Sequence, residues 1–219
     1  MYKYKHVIFD LDGTLSDSRQ GIYNAYYYTF EKLGLSDPGN EALKTLIGPP
    51  LQKGFSDLFK LQGAENEKAV QVFREYYSSK GLFENTLYDG IKELLEQLNC
   101  EGVLLYVATA KYQVFANQVL EHFGIKGYFQ EISGADYQGN HAAKVDLVAG
   151  ILRRNGILDP DSVVVIGDTR YDIEAAAELE IDSIGVTYGF TTEAEITACN
   201  PDYIASSVSD LYPLLLEIQ

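Results

Sequence analysis

The chain has 219 residues, 46% hydrophobic and 22% charged, which is ordinary globular composition and excludes wholesale disorder. That length suits one large domain or two small ones and is enough to bury a core. Lys and Arg number 17 against 32 Asp and Glu, a formal charge of −15 that argues against nucleic acid or an anionic membrane as partner. An anionic substrate would then need a local device that reverses the field. The longest apolar run, Val103 to Ala108, falls far short of the ~20 residues that span a bilayer. No signal-peptide hydrophobic region precedes the first strand-like run. Cys100 and Cys199 cannot make a disulfide framework, and no Asn-x-Ser/Thr occurs, so a cytoplasmic location is expected.

In chain order, the first predicted strand is His6–Phe9. Residues 16–83 then hold no convincing strand and read as helices over about 19–33, 40–47, 51–58 and 66–79, with breaks at 34–39, 48–50 and Gly63. Beyond them the rhythm changes. A helix over 90–99 carries Ile91, Leu94, Leu95 and Leu98 at helical spacing, and Val103–Ala108 is a strand. Helices over 112–123, 141–155, 172–179 and 208–216 alternate with strands at 163–166 and 183–187 and with weaker candidates at 129–133 and 202–205. Continuous β-branched runs suggest strands buried on both faces, as in a parallel sheet. The pattern predicts a three-layer α/β sandwich, doubly wound and Rossmann-like, as a discontinuous core of 1–15 and 84–219 with an all-helical insertion at 16–83. The insertion starts just after the first strand's loop, where open α/β sheets bind ligands.

The chemistry-bearing residues cluster at predicted strand ends. Phe9-Asp10-Leu11-Asp12-Gly13-Thr14 places two carboxylates two apart as the first strand gives out. If the strand alternation holds, both address one point, and a hard divalent cation such as Mg²⁺ takes such oxygens. A solvated Asp-Gly turn is the bland alternative. Val163-Val-Val-Ile-Gly-Asp168 repeats the strand–Gly–Asp pattern. Asp172 follows four residues later, where a capping carboxylate is also ordinary. Val107-Ala-Thr109-Ala110 puts a hydroxyl at a strand end before a predicted helix N-terminus, which could hold an anion or simply cap the helix. Lys144, near a helix start, reads as surface when taken alone.

The string Ile8-Phe-Asp10-Leu-Asp12-Gly-Thr14-Leu, with Thr109, Lys144 and Gly167-Asp168…Asp172 in that order, resembles the haloacid dehalogenase-like (HAD) phosphohydrolase superfamily, and the helical insert resembles its small cap. Asp12-Gly-Thr-Leu-Ser-Asp17-Ser and Ile47-Gly-Pro-Pro-Leu51 are similar to the phosphoglycolate-phosphatase-like branch. The resemblance implies a Mg²⁺-dependent phosphatase acting on a small phosphomonoester through an aspartyl-phosphate. In it Asp10 would be the nucleophile and Asp12 the general acid and base. The metal would sit on Asp10, the Asp12 carbonyl and Asp168, with Asp172 in support. Thr109, Lys144 and the N–H groups of Leu11, Asp12 and Ala110 would hold the phosphoryl group. Mg²⁺ and Lys144 would bring +3 to a crevice of up to four carboxylates, which offsets most of the local negative field.

Other readings share these residues. A 5′-nucleotidase, an inorganic pyrophosphatase or a sugar-phosphate mutase would keep the same chemistry. A non-enzymatic phosphorylation switch is a further alternative. Asp12 disfavours a dehalogenase, and no Gly-x-x-x-x-Gly-Lys-Ser/Thr or Gly-x-Gly supports a nucleotide-binding module. Arg19 could reach a substrate carboxylate or lie solvated at a helix start. Tyr23, Tyr26, Tyr27 and Tyr28 could stack on a base but are expected to pack between helices. His141 reads as a surface residue, and His6 and His122 have no evident ligand partners. Oligomeric state is not legible.

Overall fold

The computed structural model describes residues 3–47, 51–136 and 143–216. Two compact units are present: residues 1–17 with 87–219, and residues 18–86.

In the first unit six parallel strands form one sheet. They are β1 (His6–Phe9), β4 (Leu104–Tyr112), β5 (Phe129–Ala135), β6 (Val163–Gly167), β7 (Asp182–Val186) and β8 (Tyr203–Ala205). Their order, β5-β4-β1-β6-β7-β8, sets β1 at the centre of a doubly wound Rossmann-like sheet. Every residue of β1 and β6 is buried, which is why these strands read as continuous apolar runs. Ile8, Tyr106, Val163 and Val165 face Leu147, Val148 and Ile151 of helix α7 (Lys144–Arg154) and Ala176 of α8 (Arg170–Glu178) in one core. Helices α5 (Ile91–Cys100), α6 (Gln113–His122) and α10 (Val208–Leu215) pack elsewhere on the sheet. The periodicity of α5 buries Ile91, Leu94, Leu95 and Leu98 as the sequence predicts.

The chain leaves this unit at a two-residue strand, β2 (Ser16–Asp17), and returns at β3 (Thr86–Leu87). The span expected to be purely helical therefore opens on an extended pair, which is too short to show a pattern. A six-residue helix, α9 (Glu193–Ala198), also escaped prediction because it is less than two turns long.

The second unit is built from α1 (Arg19–Leu33), α2 (Asn40–Lys44), α3 (Leu51–Phe59) and α4 (Gly63–Tyr76), with a π-helical turn at Tyr77–Gly81. Its core is aromatic. The Tyr26 ring centroid lies 4.7 Å from Phe73, 5.3 Å from Phe55 and 6.0 Å from Phe30. Gly21 stands where any Cβ would come within 1.9 Å of the Gly81 carbonyl oxygen, so α1 and the π turn meet backbone to backbone. Among the described residues no helix is long and apolar enough to cross a membrane.

Candidate active site

The parallel arrangement brings the C-terminal ends of β1 and β6 side by side, since Phe9 pairs with Ile166 and the Asp10 N–H donates to the Ile166 carbonyl at 2.9 Å. Asp10 and Asp168 thus leave adjacent strands at the same level. Asp172 comes from the first turn of α8. One oxygen from each of these three buried carboxylates lies within 4.8 Å of the others.

Lys144, the first residue of α7, closes the cluster. Its Nζ is 2.9 Å from Asp10 Oδ1 and 2.8 Å from Asp172 Oδ1, and it donates to the Ala108 carbonyl at 2.8 Å. It is only 7% exposed, so a lysine that looked like surface in isolation is a buried counter-ion. Asp172 serves the helix and the site together. Its Oδ2 accepts from the Thr169 N–H at 3.1 Å and from the Thr169 hydroxyl at 2.7 Å, which leaves Oδ1 for Lys144.

Burial shapes the protonation of this group. It pushes the Asp10 carboxyl up to about 6, against the pull of the Lys144 ammonium. Asp168 is pushed up to about 8, by burial first and then by the charges of Asp10 and Asp172. Burial also opposes the Lys144 ammonium, but Asp10 and Asp172 outweigh it and hold its proton above the usual lysine range. Three carboxylates and one ammonium are therefore short of positive charge. Hard oxygen donors at this spacing fit a divalent cation of the Mg²⁺ kind.

Backbone at the rim is constrained to suit. A Cβ at Gly167 would fall 2.0 Å from Asp172 Cγ. Gly13 has φ 88 and would put a Cβ 2.2 Å from Asp168 Oδ2. The Asp168 carboxylate is fixed by the Phe190 N–H on Oδ2 at 2.8 Å and the Thr14 hydroxyl on Oδ1 at 3.3 Å. Tyr188, next to that loop, donates its hydroxyl to the Thr14 carbonyl at 3.1 Å.

The Asp12 side chain does not join Asp10 in the group of three clustered carboxylates. β1 ends at Phe9, so strand alternation no longer governs residue 12. The Asp12 carboxylate lies outside the cluster and is gripped by Lys111, whose Nζ is 2.8 Å from Oδ1 and 2.7 Å from Oδ2. Thr109 and Ala110 are not at a helix N-terminus either. β4 continues through Tyr112, and α6 starts at Gln113. Thr109 is buried, and its Oγ1 accepts from the Lys111 N–H at 3.2 Å, while Ala110 is exposed. The Leu11 N–H, expected to hold a phosphoryl oxygen, donates to Asp10 Oδ1 at 2.7 Å.

Lys111 and the Phe190 N–H have no part in the expectation from sequence, and Thr14 enters it only as a member of the first motif, without a role. Nothing in a lone lysine or in a backbone amide 22 residues from Asp168 signals these contacts. Arg19 opens α1 in the helical unit, half-exposed. Of the tyrosines of that helix, Tyr26 is buried among phenylalanines and Tyr28 donates to Glu75 Oε1 at 2.7 Å, while Tyr27 is exposed. His6 is held 3.2 Å from the Tyr106 hydroxyl at the opposite end of β1 from Asp10. His141 and 48–50 lie outside the described residues.

A family model described as haloacid dehalogenase-like hydrolase matches residues 7–186. A 5′-nucleotidase of Pseudomonas aeruginosa is 36% identical over 213 residues, covering 97% of this chain and 96% of that protein. Tyrosine-protein kinase PtkA of Mycobacterium tuberculosis is 37% identical over 184 residues, 84% of this chain and 62% of that longer protein. The crystal structure of a predicted phosphatase from Clostridium acetobutylicum matches with a TM-score of 0.89 at 37% identity, covering 98% of this chain and 99% of that one.

Proposed function

The chain belongs to the haloacid dehalogenase-like hydrolases and is a phosphatase, and from that premise we propose that it hydrolyses a small phosphomonoester through an aspartyl-phosphate on Asp10, with Mg²⁺ as cofactor. The observation that carries this reading is the buried cluster of Asp10, Asp168 and Asp172 closed by Lys144. Asp10 Oδ attacks phosphorus, the Oδ–P bond forms, and the bond from phosphorus to the leaving oxygen breaks. Asp12 gives its proton to that leaving oxygen. In the second half Asp12 takes a proton from water, the water oxygen bonds to phosphorus, and the Asp10 Oδ–P bond breaks, which restores the Asp10 carboxylate and frees inorganic phosphate. Lys144 holds Asp10 in line and pairs with the phosphoryl oxygens, and the Thr109 hydroxyl and the Leu11, Asp12 and Ala110 N–H groups bind the remainder. The Leu11 N–H would have to pass from Asp10 Oδ1 to the substrate. Asp10, Asp168, Asp172 and the Asp12 carbonyl would hold Mg²⁺, which supplies positive charge beside the phosphoryl oxygens when bound.

The helical unit, inserted directly after the loop of Asp10 and Asp12, is the segment to which we assign choice of leaving group, as a cap that opens for substrate. Nucleoside 5′-monophosphates and phosphoglycolate head the candidates. The first is favoured by the nearly full-length similarity to a 5′-nucleotidase, the second by the sequence resemblance of the first loop. The unbridged Cys100 and Cys199 suit work in the cytoplasm.

The test is phosphate release with Mg²⁺ from nucleoside 5′-monophosphates, phosphoglycolate, sugar phosphates and pyrophosphate, with Asp10→Asn as control. One monoester turned over at kcat/KM above ~10⁴ M⁻¹s⁻¹ and abolished in the control is the expected result. Release from none of them would overturn it.

A further inference from the structure

A register irregularity interrupts the β4–β5 ladder between Thr109 and Tyr112, so Ala110 and Lys111 have no regular partner on β5. Such bulges re-aim side chains at strand ends. Here the irregular stretch is permitted by Gly134 on β5, where a Cβ would come within 2.8 Å of the Lys111 carbonyl oxygen and of Gln113 Cα. It is pinned by the Gln113 side chain, whose Oε1 accepts from the Gly134 N–H at 2.6 Å. The outcome is a lysine side chain only 5% exposed, with its ammonium on both oxygens of Asp12. Burying an ammonium carries a desolvation cost that an ion pair does not reliably recover, so stability alone is a weak reason for this contact.

We infer that Lys111 is a positioning residue for proton transfer: it fixes the orientation of the Asp12 carboxyl group and so sets its reach to the leaving oxygen. The inference rests on the reading of Asp12 as general acid.

A leaving-group series reads this role directly. A nucleoside 5′-monophosphate leaves as a poor alkoxide and needs the acid, whereas 2,4-dinitrophenyl phosphate leaves as a stable phenolate and does not. Lys111→Met should cut kcat/KM, which reports only the steps up to the aspartyl-phosphate, by about tenfold to a hundredfold for the nucleotide, part of what general acids contribute, and leave kcat/KM for the dinitrophenyl ester within about threefold. Lys111→Arg should recover part of the loss, because it keeps a fork of donors near Asp12, and it covers the case in which the methionine variant fails to fold. Asp12→Asn is the reference. If it lowers kcat/KM, which reports only the steps up to the aspartyl-phosphate, equally for both esters, Asp12 is not the acid and the underlying reading fails. If Asp12→Asn is selective but the Lys111 variants slow both esters equally, or raise KM alone, Lys111 serves packing or substrate binding and the inference is overturned.

Discussion

At the scale of single residues the site is a problem in charge, and two tests follow from how the chain solves it. Lys144 is the ammonium that Asp10 and Asp172 share. Lys144→Ala leaves two buried carboxylates facing each other and should cost at least about 10²-fold in kcat, as loss of a charge-stabilising donor commonly does. Steady-state phosphate release checks it, and activity within threefold of wild type would contradict it. Asp168 gives a second test. Its carboxyl is pushed up to about 8 by burial and by Asp10 and Asp172, whereas an unfolded aspartate titrates near 3.9. Between those values the folded, metal-free protein binds the extra proton, so its stability falls as pH rises from about 4 through about 8. Mg²⁺ requires the ionised carboxylate, so its stabilising effect must grow over the same window. The Tm gain at a fixed Mg²⁺ concentration should be larger at pH 8 than at pH 6, and a gain independent of pH would contradict the assignment. Sequence made Asp10 and Asp168 visible because each stands at the end of an apolar run. It could not show that Lys144 is buried or that Asp12 turns away to Lys111, because both depend on where other elements end.

At the scale of elements the parallel strands were legible and their irregularities were not. β1 and β6 are short, β-branched and buried on both faces, so composition alone marks them. The extension of β4 to Tyr112 is a matter of pairing with β5, a property of two strands that neither sequence carries by itself. Short elements such as β2 and α9 hold too few residues for a period to appear. The strand–Gly–Asp pattern of β6 does carry a structural demand. Gly167→Ala would set a Cβ 2.0 Å from Asp172 Cγ, displacing the carboxylate that both caps α8 and faces Lys144. We expect at least a tenfold fall in kcat/KM together with a lowered Tm. An alanine variant with unchanged kinetics would show that Asp172 can move without consequence for the chemistry.

At the scale of the whole molecule a charge of −15 meets an anionic substrate. At long range a dianion meets the charge of the whole chain rather than that of the few groups in the site. Salt shortens the reach of that repulsion, from about 30 Å at 0.01 M to about 8 Å at 0.15 M. With Mg²⁺ saturating, kcat/KM for a dianionic monoester should therefore rise as KCl is added over this range. A fall would show that a positive field at the site dominates after all. The division of the chain into a parallel-sheet unit and a helical unit was readable from the change of rhythm after β1, whereas the helical unit's selectivity was not, since shape is not a property of periodicity. The central claim is that Asp10 becomes covalently phosphorylated. The most direct measurement is rapid acid quench of the enzyme turning over its best monoester with Mg²⁺, followed by peptide mass spectrometry. The account predicts a phosphoryl group on Asp10 that forms and decays at a rate compatible with kcat and is missing in Asp10→Asn. Steady turnover with no phosphorylated Asp10 peptide, and with activity retained in Asp10→Asn, would contradict it.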